Sequence, residues 1–256
     1  MAFFELLRQI SAEATNTVIG LVRNTSATEA RVIKELGQRS NIHILHGDLD
    51  NHESLKKTAT IAGGNLDYLI ANAGYISYWD SYDPMGKLGQ DHERVELELS
   101  KLYTTNIAGN ISLYTLFMPL ILKGRVKKIV AISSSLSDLD SINRLGVQIS
   151  PLYAIVKAGL SIMNAKFSAQ YKADGVLFLT ICPGMVDVGH YQDPTPEQAA
   201  SLQGMMAQFK TYAPHFEGPA TTERAIKDLI SVLERAGIER GDGGDFVSHW
   251  GNKRWL

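Results

Sequence analysis

The sequence predicts an α/β protein built on a doubly wound parallel sheet. Short apolar runs alternate with helical patterns along the whole 256-residue chain. Most of the runs are apolar at every position, as strands covered on both faces are. Parallel strands also need long crossovers, which the intervening helices supply. The length suits one domain with a well-buried core, so residues 1–256 read as a single unit.

The elements follow in order. In "MAFFELLRQIS", Phe3, Phe4, Leu6, Leu7 and Ile10 recur at helical spacing. Strands are predicted at 17–22 ("TVIGLV"), 42–47 ("IHILHG"), 66–72 ("LDYLIAN"), 127–133 ("KKIVAIS"), 176–182 ("VLFLTIC") and 245–249 ("DFVSH"). Helices are predicted near 26–38, 52–62, 93–121, 152–172 and 220–236. Segment 187–219 breaks the alternation. There "TPEQ" reads as a capping box with Pro196 at the first helical position, followed by Leu202, Met205, Met206 and Phe209 at helical spacing. A helix inserted past a strand's carboxyl end suits either a lid over a substrate or plain packing.

Composition narrows the function. A formal net charge of −2 with no long run of one sign recommends neither a nucleic-acid surface nor a membrane-binding helix. The longest apolar stretch, "LYTLFMPLILKG", reads as too short to span a bilayer, and no basic secretory n-region precedes Glu5. One cysteine, Cys182, suits a reducing compartment; the expectation is a cytoplasmic protein. His43, His46, His52, His92, His190, His215 and His249 show no zinc spacing, so no metal site is expected. Tyr75, Tyr78, Trp79 and Tyr82, with Tyr191, Tyr212 and Phe216, are aromatics suited to a pocket for a flat hydrophobic molecule or to packing.

The chemistry centres on "YAIVK". Tyr153 and Lys157 lie four apart, hence on one helix face. An adjacent ammonium favours a phenolate and makes a tyrosine, ordinarily titrating near pH ~10, usable as an acid–base group. Around this pair stand Ser134 in "AISSS" at a strand end, Asn72 and Gly74 in "LIANAG", Asn106 in "TTNIAG", Pro183 and Gly184 in "ICPGMV", and Asp48 in "HGDLDN". All fall at strand ends or on helices flanking one sheet edge.

In this order the motifs resemble the short-chain dehydrogenase/reductase superfamily, whose Rossmann-like fold would cover roughly residues 5–256. The long gap between "ISSS" and "YAIVK" and the tail "GGDFVSHWGNKRWL" are most similar to ketoreductases of secondary metabolism, of the norsolorinic acid ketoreductase type. The resemblance implies a reductase passing hydride to a ketone or aldehyde. Tyr153 would protonate the carbonyl oxygen, and Lys157 would support Tyr153 and hold the nicotinamide ribose. Ser134 would bond the substrate oxygen, with Ser133, Ser135 and, on spacing, Ser141 as alternatives; the stretch "SLSDLDSINRLGVQIS" reads as a loop insertion. Asn106 would hold a water relay to Lys157, Asp48 would meet the adenine, Asn72 would lie by the adenosine ribose, and the backbone near Val186 would meet the carboxamide. Gly74 belongs to the same cofactor set. Arg23 in "VRN" stands where an acidic residue would favour NAD, so the expected cofactor is NADP(H). The Tyr153 helix commonly joins a dimer interface in this superfamily, and Leu160, Ile162, Met163 and Phe167 there favour a homo-oligomer.

One departure is large. Members of the superfamily open with a strand and a TGxxxGIG loop, and "FFELLRQIS" aligns with the helix after them. The sheet is therefore expected to lack its first strand, between "TVIGLV" and "LDYLIAN", leaving unpaired edges or a closed gap. Two further readings accompany the reductase: a truncated pseudoenzyme that binds without cofactor, and a cofactor-free acid–base catalyst such as an isomerase, dehydratase or cyclase.

Overall fold

The computed structural model describes residues 2–189 and 193–256. His190 and Tyr191, considered above as metal-ligand and pocket candidates, lie outside the described residues. Helix α1 (Ala2–Ile10) leads into strand β1 (Val18–Val22), then α2 (Thr25–Leu36), β2 (Ile42–His46), α3 (His52–Ala62) and β3 (Tyr68–Ala71). A short α4 (Met85–Leu88) precedes α5 (His92–Tyr103) and α6 (Gly109–Lys123), and β4 (Lys128–Ile132) follows. The chain continues through α7 (Leu139–Leu145), α8 (Pro151–Tyr171), β5 (Leu177–Cys182), α9 (Pro196–Tyr212), α10 (Thr222–Arg235) and β6 (Phe246–Ser248). Side-chain caps mark several of these starts: Asn24, Asn51 and Thr221 each accept a backbone N–H two or three residues into the helix they begin.

All strand pairing among the described residues is parallel, but the sheet is divided. Strands β1 and β2 pair by themselves, and β3, β4, β5 and β6 form a second sheet in that order. No ladder joins β1 to β3, so the interruption expected from the sequence falls between those two strands.

Side chains bridge the division on two sides. Helix α1 packs Phe4 and Leu7 with Val18, Ile42 and Ile44 of the small sheet, while Leu6 joins Val130, Leu179 and Ile181 of the large one. The largest core cluster contains Tyr114, Phe117 and Phe178, and Leu21 of β1 packs against it. Its centre is aromatic: Phe167 stacks on Phe178 at 5.6 Å, and Tyr114 meets Phe167 edge-on at 5.4 Å.

Two expectations need correction. The stretch read as a loop insertion contains α7, capped by Asp138 accepting from the Ser141 N–H and closed by Gly146 at φ 60°. Its buried Leu145 packs with α9, which gives the insertion a fixed place. The apolar stretch read as too short for a bilayer falls almost wholly in the continuous helix His92–Lys123, half of whose apolar window is buried in the fold, as in a core helix. Of the four apolar residues offered for an α8 interface, Leu160 and Met163 are buried and Phe167 packs in the core, so only Ile162 faces outward.

Candidate active site

At the carboxyl ends of β3, β4 and β5 lies a cavity of about 300 Å³. Asn72, Gly74, Ser134, Tyr153 and Val186 line it together with Asn106 and Lys157, so seven of the residues singled out in the sequence meet at one cavity. Arg23 and Asp48 do not. They follow β1 and β2, and neither borders the cavity.

Two local devices place the polar groups. The helix carrying Asn106 loosens into a π-turn over Thr104–Ala108, between α5 and α6. Within it the Asn106 Nδ2 donates to the carbonyls of Leu102 and Tyr75, both at 2.9 Å, while its Oδ1 is buried with no partner among the described residues. Gly74 makes room beside that oxygen. A Cβ there would stand 2.6 Å from Asn106 Oδ1 and 3.7 Å from Lys157 Nζ.

Lys157 is 5 % exposed. Its ammonium donates to the Ile132 carbonyl at 2.7 Å and stands 5.5 Å from the centre of the Tyr153 ring. Burial pushes its pKa down to about 8, with Cys182 opposing weakly. The ammonium therefore remains the main form at neutral pH. Cys182 is buried, as its apolar strand suggests, and accepts from the Ser135 N–H at 3.2 Å.

The serines divide by partner. Ser133 is buried with its Oγ donating to the Lys157 carbonyl, and Ser134 Oγ accepts from the Leu136 N–H. Ser133, Ser134, Ser135 and Ser141 all touch the cavity. The far wall is apolar: Leu145, Val147 and Ile149 face Met205 and Phe209 of α9. The predicted capping box at Thr195 and Gln198 is present, and it fixes where α9 starts. Met185 of "ICPGMV" also lines the cavity, as do Trp255 and Leu256, which the sequence reading did not pick because nothing local marks them as pocket wall. Gly184 at φ 81° turns the chain here, with a ring of His249 2.9 Å from where its Cβ would be.

Asp80 was also missed. It is fully buried, and its two carboxylate oxygens accept the Leu152 N–H at 3.0 Å and the Tyr153 N–H at 2.7 Å. Burial raises its pKa to about 6, despite those two hydrogen bonds. No spacing rule could have joined it to α8, since the link spans 73 positions.

A parallel α/β sheet with Tyr, Lys, Asn and Ser converging on one cavity at its strand ends defines the class: an NAD(P)-dependent oxidoreductase of the short-chain type. The family profile described as short chain dehydrogenase matches residues 5–199, and the chain belongs to that family. It is 52% identical over 257 residues to the short chain dehydrogenase virK of Hypocrea virens, covering 99% of this chain and 95% of the relative. To the short-chain dehydrogenase/reductase iacC of Pestalotiopsis fici it is 49% identical, with 99% and 95% covered. Among solved structures, the NADPH-bound carbonyl reductase from chicken fatty liver superposes with a TM-score of 0.74 at 18% identity, covering 99% of this chain and 94% of that one. The carbonyl reductase Sniffer of D. melanogaster gives 0.72 at 18% identity, with 97% and 92% covered. At such identities these two show a shared fold.

Proposed function

We propose that the protein is an NADPH-dependent reductase of a hydrophobic, aromatic ketone or aldehyde. The observation that carries this is the buried Asn106 Oδ1, without a partner among the described residues, which shares the recess at Gly74 with Lys157 Nζ in the cavity that Tyr153 also lines. An unpaired buried acceptor next to an ammonium suits a water that receives from Lys157 and donates to Asn106. The same recess fits a nicotinamide ribose bonded to Tyr153 and Lys157. Ala2 and Thr222, the first residues of α1 and α10, also border the cavity, and N–H groups at helix starts suit a pyrophosphate. A bound reduced nicotinamide would supply the hydride that adds to the carbonyl carbon.

This chain's residues do the rest. Tyr153 gives its phenolic proton to the carbonyl oxygen as charge builds there. Lys157, kept cationic at neutral pH, stabilises the charge left on the phenolic oxygen, and the Asn106 water returns the proton. Ser134 hydrogen-bonds the reacting oxygen and fixes which face is presented. A flat substrate lies between Tyr75 on one side and Met205 and Phe209 on the other, with α9 as its lid.

The coenzyme preference rests on Arg23, exposed just past β1, where a cation suits a 2′-phosphate. Titration of the protein with NADPH and NADH by fluorescence tests both claims. Saturable micromolar binding is expected, with NADPH favoured by about tenfold or more, which is ~1.4 kcal/mol. Arg23→Asp should erase that preference. Folded protein that binds neither coenzyme refutes the reading.

A further inference from the structure

We infer that Asp80 is the positioning residue for Tyr153: by capping α8 from the loop after β3, it sets where the proton donor stands. The inference rests on the reductase reading above. Helix α8 begins without a cap of its own. Its first flanking residue, Ser150, sits at φ 52° and ψ 45° and makes no side-chain cap bond, and Pro151 occupies the first turn. The N–H groups of Leu152 and Tyr153 would otherwise be buried donors without acceptors. Asp80 accepts both, and the 2.7 Å bond to the Tyr153 N–H has the length of a charge-assisted one.

The loop holding Asp80 is itself tied down. The Asp80 N–H donates to Ser77 Oγ at 3.3 Å, Ser81 Oγ donates to the Ser77 carbonyl at 3.0 Å, and Ser150 Oγ reaches the Ser81 carbonyl at 3.4 Å. The same loop runs from Tyr75 on the cavity wall to Asp83, which accepts from Gln198 in the first turn of α9 at 3.4 Å. One short segment thus touches the substrate wall, the start of the Tyr153 helix and the start of the lid helix. Among the charged groups of the described residues, Glu98 of α5 is the one that acts on Asp80. Burial would raise Glu98, but hydrogen bonds from Lys101, Tyr75 and Ser77 hold it below the ordinary carboxylate range. From α8 the titratable groups are Tyr153 and, one turn on, Lys157; Asp83 is already paired to Lys87 at 2.8 Å.

Protonation of Asp80 takes away one of two acceptors, so Tyr153 loosens as pH falls through about 6. The test compares wild type with Asp80→Asn, Asp80→Ala and Tyr153→Phe. Four readouts apply: circular dichroism, NADPH titration, amide exchange over residues 150–157, and kcat and KM for an aromatic ketone from pH 5 to 9. Asn keeps one acceptor and Ala none. Both should stay folded and bind NADPH no more than a few-fold weaker than wild type, exchange the 152 and 153 amides faster, and lose kcat by more than binding, about tenfold for Asn and about a hundredfold for Ala. Wild-type kcat should fall below pH ~6, and neither variant should show that limb. Faster exchange with unchanged kcat and pH profile makes the cap merely structural and overturns the inference, as does an Asn variant that fails to fold. If Tyr153→Phe stays active, or wild type turns over no ketone, the reductase reading falls instead, whatever the amide exchange shows.

Discussion

Lys157→Met should make the protein more stable at neutral pH while stopping its chemistry. The ammonium is buried, and its pKa is lowered from 10.5 to about 8. At pH 7 the lysine is charged in both folded and unfolded chains, so the folded state carries the whole desolvation cost. A shift of about 2.5 units corresponds to about 3 kcal/mol at ~1.4 kcal/mol per unit. Methionine removes that cost and keeps an unbranched side chain one heavy atom shorter, but it leaves the Ile132 carbonyl without its 2.7 Å donor, a loss of about 1–2 kcal/mol. The net expectation is a gain of about 1–2 kcal/mol at pH 7. The sign then reverses with alkali. Between about pH 8 and 10.5 the unfolded chain holds the lysine proton longer than the folded one, so wild type gains stability as pH rises. From pH 7 to pH 10 the variant's advantage should shrink by about 2.5 kcal/mol. Urea unfolding of both proteins at the two pH values measures this, and comparing them cancels every other titrating group. Parallel stability curves, or a variant less stable at pH 7 by a kcal/mol or more, would show that the buried ammonium costs the fold nothing and refute the reasoning.

Two further outcomes follow from packing. Gly74→Ala places a methyl 2.6 Å from Asn106 Oδ1, closer than carbon and oxygen tolerate. Asn106 must shift, so kcat should fall about a hundredfold at a stability cost of about 1–3 kcal/mol, read by turnover and urea unfolding; an unimpaired variant would mean the recess is not used. Phe209→Ala, opening the α9 wall, should raise KM for an aromatic ketone about tenfold or more with a smaller change in kcat, whereas a kcat loss with constant KM would place α9 away from the substrate.

Much of this was legible because it is local or periodic. Each of the six strands falls within a residue or two of its predicted run, since runs such as "VLFLTIC" have nowhere to go but a buried sheet. Thr195 and Pro196 announced α9 because a capping box is spelled in four consecutive residues. Tyr153 and Lys157 share a helix face by spacing alone. What could not be read depends on contacts remote in sequence. Asp80 is one acid in "YWDSYD" until the fold brings α8 to it. The π-turn at Asn106 hides inside an ordinary helical pattern, and α7 hides in a stretch whose polar residues look like loop until Leu145 finds α9.

The divided sheet has a mechanical consequence. Within β3–β6, sliding one strand past its neighbour means breaking a row of backbone hydrogen bonds together, and the same holds between β1 and β2. Between the two groups there is no such row among the described residues; the seating of Phe4, Leu6, Leu7 and Leu21 dominates, with isolated side-chain bonds such as Gln9 to the Glu223 carbonyl and Thr105 to Asp50. Apolar contacts of this kind give way gradually under displacement, where hydrogen-bonded ladders hold until they snap. The fold thus behaves as two stiff plates joined by a compliant seam. Arg23 and Asp48 ride on one plate. Ser134, Tyr153 and Lys157 belong to the other, so deformation of the first leaves the spacing of those three groups undisturbed.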